Sequence, residues 1–237
     1  LAALKKLVFD EKFLSAQEVK QALDNNFEGE RGEEIRQILT NLVPKYGEDN
    51  DFVDEMTAAA LDDYNDIILG FKNMRYGRGP IGGNYYPSTV TISANITAGD
   101  VVGATPDGRK KSEPTADGIS PSQGTGKKGP TAIFHSVSKL PTIKMTGGQL
   151  LNIRLTPDSL STDPGIQKLS ALLRAYVDMK GWHVQFNTVS TDVLRDAILH
   201  PENYKDLIVR VAGYSALFVA LDPVLQRDII ERMEHEF

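Results

Sequence analysis

The sequence predicts an α/β fold, and three observations carry that expectation. Through Gly70, apolar residues recur at helical spacing between acidic ones. From residue 131 onward, short β-rich runs alternate with helical ones, the order that builds a parallel sheet flanked by helices. Apolar residues make up 41% of the 237, which supplies a substantial core and is too many for a disordered chain. One large domain or two smaller ones fit this length.

Each element has its own signal. Ser15-Ala16-Gln17-Glu18 reads as a capping box, in which Ser15 caps a helix and Glu18 reaches back. Val19, Ala22 and Leu23 follow at helical spacing. Ile35, Ile38, Leu39 and Leu42 form a second apolar stripe, ended near Pro44. Phe52, Met56, Ala59, Ala60, Tyr64, Ile67, Ile68 and Phe71 form a third. Such stripes are core faces, and the acidic residues between them are wet faces. From 77 to 130, Gly and Pro recur every few residues, with one β-branched run at 89–92. An ordinary loop has a median of ~4–6 residues, so this stretch calls for a function, and Tyr85, Tyr86, Val101, Val102 and Ile119 argue that it is ordered. Beyond it the pattern predicts a helix over 131–140, a strand over 149–155 and a helix over 166–177. A strand over 183–189, a helix over 191–200 stopped by Pro201, a strand over 207–211 and a terminal amphipathic helix over 223–236 complete the series. The chain thus divides into a helical segment (1–76), a long ordered Gly/Pro-rich loop region (77–130) and a C-terminal unit (131–237).

Composition excludes several function classes. The net charge is −6, which argues against a general nucleic-acid binder. Acidity is concentrated before residue 71, where 7 basic residues face 16 acidic ones; the remainder has 19 and 16. No apolar run reaches the ~18 residues of a membrane helix, and no basic-then-apolar leader opens the chain. It does not begin with Met, so it is expected to be a piece of something longer. There is no cysteine, hence no disulfide, thiolate metal site, iron–sulfur cluster or cysteine nucleophile within the chain. The four histidines, His135, His183, His200 and His235, form no His-x-x-x-His pair. Gly124-Thr125-Gly126-Lys127-Lys128-Gly129 matches a dinucleotide pattern, but no strand precedes it and no acidic residue follows at the required distance, so it reads as a glycine loop.

One segment carries chemistry. Arg210-Val211-Ala212-Gly213-Tyr214-Ser215-Ala216-Leu217-Phe218 resembles the signature of the glycyl radical enzymes. A lone glycine after a strand usually marks a turn or bulge, but other blocks resemble the same family in the same order. They lie at 44–47 with 51–55, at 103–110, at 116–121, at 129–132, at 183–187, at 201–204 and at 226–230. A departure is Met233, where the family often has Thr after an Arg. The segment 117–124 is more similar to the dehydratase and C–X lyase branch than to pyruvate formate-lyase proper.

The physical logic stands beside the resemblance. A radical at a backbone α-carbon is stabilised by delocalisation between a donating amide nitrogen and a withdrawing carbonyl, which needs a planar centre. Glycine has no Cβ to oppose that geometry and reaches backbone conformations that other residues do not. Burial would protect the radical, and Val211, Tyr214, Leu217, Phe218 and Val219 are suited to provide it.

The resemblance implies more. The fold is the C-terminal part of the family's α/β barrel, with a helical N-terminal segment and a central glycine loop, and 131–237 is the glycine radical domain. Gly213 stores the radical, with Arg210, Val211, Ala212, Tyr214 and Ser215 as its surroundings, and passes it to a cysteine outside this chain. Tyr85 and Tyr86 are implied substrate contacts. No cofactor or metal is bound; the radical is a modification installed in trans by a radical S-adenosylmethionine activating enzyme with an iron–sulfur cluster. The partners are that enzyme, the cysteine-bearing remainder, a small-molecule substrate and a second copy in a homodimer, with neither nucleic acid nor membrane. The setting is anaerobic and cytoplasmic, or a bacterial microcompartment. The implied activity is that of an oxygen-sensitive lyase or dehydratase of a small polar substrate. Open alternatives are a pyruvate formate-lyase-type acyltransferase, a stand-alone partner that restores a damaged enzyme's glycine segment, and an α/β domain without chemistry.

Overall fold

The computed structural model describes residues 1–75, 79–91 and 93–236. Gly77, Ile92 and Phe237, named or implied in the reading above, lie outside the described residues.

The N-terminal part is helical. A π-type turn (Leu4–Asp10) precedes α1 (Ala16–Asp24), α2 (Gly29–Asn41) and α3 (Asp51–Gly70). The capping box forms as expected: Ser15 Oγ accepts from the Glu18 N–H at 3.1 Å, and the Glu18 carboxylate accepts from the Ser15 N–H at 3.0 Å. Leu7, Val19, Ala22, Phe27, Ile35 and Leu39 close into one core. The third stripe differs from the expectation. Tyr64, Ile67 and Phe71 are exposed, whereas Asp54 and Asn65 are buried. The physical reason is an ion pair: α3 turns Asp54 inward, where its carboxylate accepts from Lys139 at 2.9 Å and from Ser136 at 3.0 Å.

The Gly/Pro-rich stretch is not one continuous loop. It contains strand β2 (Gly79–Asn84), paired antiparallel with β1 (Lys72–Arg75), and helix α4 (Ala94–Val101). Irregular chain then runs to α5 (Pro130–Ser138), which Pro130 opens from a first-turn position that needs no N–H donor.

The last part builds the α/β unit. It comprises β3 (Asn152–Leu155), α6 (Asp163–Asp178), β4 (Gln185–Asn187) and α7 (Thr191–Leu199). Then come β5 (Ile208–Arg210), β6 (Ser215–Leu217), α8 (Pro223–Glu231) and β7 (Glu234–His235). Thr162 and Ser190 cap α6 and α7 through the Gly165 and Val193 N–H groups. β3, α6 and β4 form a β-α-β crossover, so β3 and β4 pair in parallel and Asn152 lies opposite Gln185. β7 pairs on the other edge of β3. The terminal helix is therefore shorter than its pattern suggests. It stops at Glu231, Arg232 is extended, and the Thr156 N–H donates to the His235 carbonyl at 2.9 Å. The free edge of β3 offers backbone partners that compete with a last helical turn.

Two cores sandwich this sheet. In one, Ile133, Phe134 and Val137 of α5 meet Leu151, Ile153 and Leu155, and the Phe134 and Tyr176 rings stack at 4.2 Å. Each such side chain contributes roughly 1.5–3 kcal/mol on burial. In the other, Leu150, Leu194, Ala197 and Ile229 enclose Val209, Val211, Ala212 and Phe218. No described helix is long and apolar enough to cross a membrane.

Candidate functional site

The glycine block is a hairpin. β5 and β6 pair as Ile208 with Leu217, Val209 with Ala216 and Arg210 with Ser215. The Val211 N–H donates to the Tyr214 carbonyl at 2.9 Å, leaving Ala212 and Gly213 as a two-residue tip. Gly213 has φ +78°, which costs a residue with a side chain about 1–2 kcal/mol. A Cβ placed there would meet nothing within 4 Å. Backbone conformation, rather than crowding, demands glycine at this tip.

The hairpin has an apolar root and an open end. Val209, Val211, Ala212 and Phe218 are buried against α7 and α8. Gly213, Tyr214, Ser215 and Leu217 are exposed. Within this chain Tyr214 and Leu217 do not cover the glycine: the packed face of the hairpin ends at Ala212, and the tip projects beyond it.

Both polar groups of Gly213 are held. Its N–H donates to Gln185 Oε1 at 3.3 Å, and its carbonyl accepts from Arg210 Nη2 at 3.2 Å. Arg210 also donates through Nε to the same Gln185 oxygen at 2.9 Å and through Nη1 to Ser215 Oγ at 3.3 Å. The Val211 carbonyl accepts from Arg232 Nη1 at 2.7 Å, and Arg232 pairs with Asp228 at 2.8 Å. Nearby, burial and then the Arg210 charge push the His183 imidazole below its ordinary pKa.

The structure brings Arg210, Val211, Ala212, Tyr214 and Ser215 around Gly213, as their order in the chain requires. Tyr85 and Tyr86 sit elsewhere, just after β2, and both are exposed. The Tyr86 ring lies so close to Gly147 that a Cβ there would come within 2.6 Å of it. Among the described residues, no hydrogen bond joins either tyrosine to the hairpin. A cavity of about 890 Å³, lined by Lys45, Tyr46, Tyr64, Arg109 and Gln123 among others, is not lined by Tyr85, Tyr86 or Gly213. Among the described residues, no cluster of three His, Asp or Glu could hold a metal ion.

Sequence reasoning passed over Gln185 and Arg232. Gln185 had a signal: it occupies an inward position of an alternating strand, and a polar side chain there must find partners. Arg232 had none, because its partner Val211 lies 21 residues away.

Comparison with known proteins places these features. Residues 115–219 match the family described as "Glycine radical", and residues 1–99 match "Pyruvate formate lyase-like". The chain is 51% identical over 236 residues to "Probable dehydratase YbiW" of Escherichia coli (strain K12), covering 99% of the chain and 29% of that protein. It is 40% identical to trans-4-hydroxy-L-proline dehydratase of Clostridioides difficile, covering 100% of the chain and 29% of the relative. The glycerol-bound B12-independent glycerol dehydratase of Clostridium butyricum superposes with a TM-score of 0.93 at 44% identity, again over 100% of this chain and 29% of that one. The chain thus spans under a third of the length of the relatives it matches. With a glycine hairpin of the implied sequence, an α/β scaffold around it and both halves of the chain matched, this chain belongs to the glycyl radical enzymes and corresponds to their C-terminal portion.

Proposed function

We propose that this chain is the radical-bearing portion of an oxygen-sensitive glycyl radical dehydratase or lyase acting on a small polar substrate such as a diol. The observation that carries the reading is the hairpin itself, with Gly213 at a tip whose positive φ glycine adopts without strain. A radical S-adenosylmethionine activating enzyme presents a carbon radical to Gly213. The Cα–H bond breaks homolytically, the hydrogen atom passes to that radical, and the unpaired electron stays on Cα. Gly213 then takes a hydrogen atom from the thiol of a cysteine, leaving a thiyl radical that attacks substrate. That cysteine comes from outside this chain, which contains none.

Dehydration is favoured over formate-lyase-type acyl transfer because the relatives named above are dehydratases. The match over residues 1–99 counts against a stand-alone spare glycine segment, which needs no enzyme-body sequence upstream. Tyr85 and Tyr86 remain proposed substrate contacts, reached when the complete protein assembles, as a homodimer. A radical destroyed by oxygen suits an anaerobic cytoplasm or microcompartment. The test is anaerobic activation of the complete protein, followed by electron paramagnetic resonance and a turnover screen of diols and hydroxyproline. A doublet from one α-proton, with turnover of one such substrate, is the expected result. An activated protein without an organic radical would overturn the reading.

A further inference from the structure

A one-way chain of hydrogen bonds ends on Gly213, and the inference drawn from it rests on Gly213 as the radical residue. Asp117 is 3% exposed, and its carboxylate can only accept. Asn152 Nδ2 donates to Asp117 Oδ2, and Gln185 Nε2 donates to Asn152 Oδ1. Gln185 Oε1 then accepts from the Gly213 N–H and from Arg210 Nε. Every donor therefore points toward Asp117.

The direction is fixed by the partners. A flipped Gln185 amide would set its NH2 against two donors, and a flipped Asn152 would set its oxygen against a carboxylate. The sheet aligns the members. Asn152 and Gln185 are register partners on β3 and β4, and the segment bearing Asp117 runs alongside through the Ile119 N–H, which donates to the Leu150 carbonyl at 2.9 Å. Thr91 Oγ1 also donates to Asp117, and Arg232 lies 3.5 Å from it. On the far side of Gly213, Arg210 donates to the carbonyl.

We propose that this chain, with Arg210 on the carbonyl, tunes and positions the glycyl radical, and that Gln185 is its positioning residue. After the hydrogen atom has left Cα, the unpaired electron is shared between the amide nitrogen and the carbonyl. An acceptor on the N–H makes the nitrogen a better donor, and a cationic donor on the carbonyl makes it a better acceptor, so the two contacts act in the same sense. Bonds in a part-buried, unidirectional chain polarise one another, and the charge on Asp117 orients the whole series. The clamp makes and breaks no covalent bond.

The test uses the complete protein labelled with 15N-glycine and activated anaerobically. In the wild type, the spectrum yields the α-proton and 15N couplings of the radical. Gln185→Met keeps the length of the side chain and removes the acceptor. The 15N coupling then falls, because the nitrogen shares less of the spin, and the radical yield falls with it. Gln185→Glu restores an acceptor and most of the coupling. A wild-type doublet with unchanged 15N coupling and yield in Gln185→Met overturns the proposal while leaving Gly213 as the radical residue. No radical in the wild type removes the reading of Gly213 and the proposal with it. Should Gln185→Met fail to fold, Asp117→Asn removes the charge that orients the chain at its far end: a lowered 15N coupling supports the proposal, and an unchanged one refutes it.

Discussion

Arg232, just past the end of α8, donates to the carbonyl oxygen of Val211 at 2.7 Å, one residue before the two-residue tip that carries Gly213. The same guanidinium faces Asp228 at 2.8 Å and Asp117 at 3.5 Å, both buried. It therefore ties the C-terminal helix to the root of the hairpin while neutralising two carboxylates.

Arg232→Met leaves that carbonyl and those carboxylates without their cation. The expected destabilisation is about 3–5 kcal/mol, the usual cost of breaking a buried charge pair from one side. Asn95 and Gln123, which also donate to Asp228, moderate it. Denaturant titration measures the loss, and limited proteolysis should show earlier cutting within 210–217. An unaltered midpoint and digestion pattern would remove Arg232 from the account of how the hairpin is held.

Gly213→Ala separates conformation from crowding. With open space around the position, the cost is that of a positive φ alone, about 1–2 kcal/mol, and the fold survives. The radical signal is lost completely. A variant that unfolds outright would mean that the tip is packed in the intact protein.

Oxygen should cut the activated protein at one place. A carbon-centred backbone radical reacts with O2, and the product decomposes by chain scission. The small fragment begins near Tyr214 and carries Met233 and His235, which identify it by mass spectrometry. Scission requires prior activation; the same fragment from unactivated protein would indicate ordinary proteolysis of the exposed tip.

The chain by itself, with an activating enzyme but no partner, should turn over no substrate, because it has no cysteine to relay the radical. Measured product from this polypeptide alone would force a different mechanism.

His235 predicts an acid-side loss of stability. It is buried on β7, and burial, then the nearby Arg154 charge, lowers its pKa from the ordinary 6.5. A depressed folded pKa means that the unfolded chain binds the proton more readily. This contribution is full above about pH 6.5 and is lost as pH falls toward the folded value. His235→Gln should flatten the decline in unfolding midpoint between pH 7.5 and 5.5. A decline as steep as in the wild type would point to other groups.

Local signals were legible in the sequence and distant ones were not. The Ser15–Glu18 box depends on residues within one turn. The glycine block was readable because its meaning lies in consecutive residues. Strand β6 was missed because Ser215–Leu217 is only three residues long and finds its partner through a tip rather than a pattern. The exposure of Tyr64, Ile67 and Phe71 was missed because a helical stripe shows which face is apolar and not whether anything covers it. Gln185 depends on contacts 25 and 28 residues away, which no window of local sequence contains.

The φ of +78° at Gly213 sets a torsional journey for the residue. An electron shared across the nitrogen needs the preceding peptide plane nearly level with the α-carbon centre, so φ must swing toward 180°, a rotation of about 100°. The route crosses backbone territory that a Cβ closes and glycine alone travels freely. Gln185 anchors the plane before the pivot, and Arg210, on a flexible stem, follows the carbonyl that turns. On the proposed role of Gly213, the hairpin tip would be a swivel as well as a store.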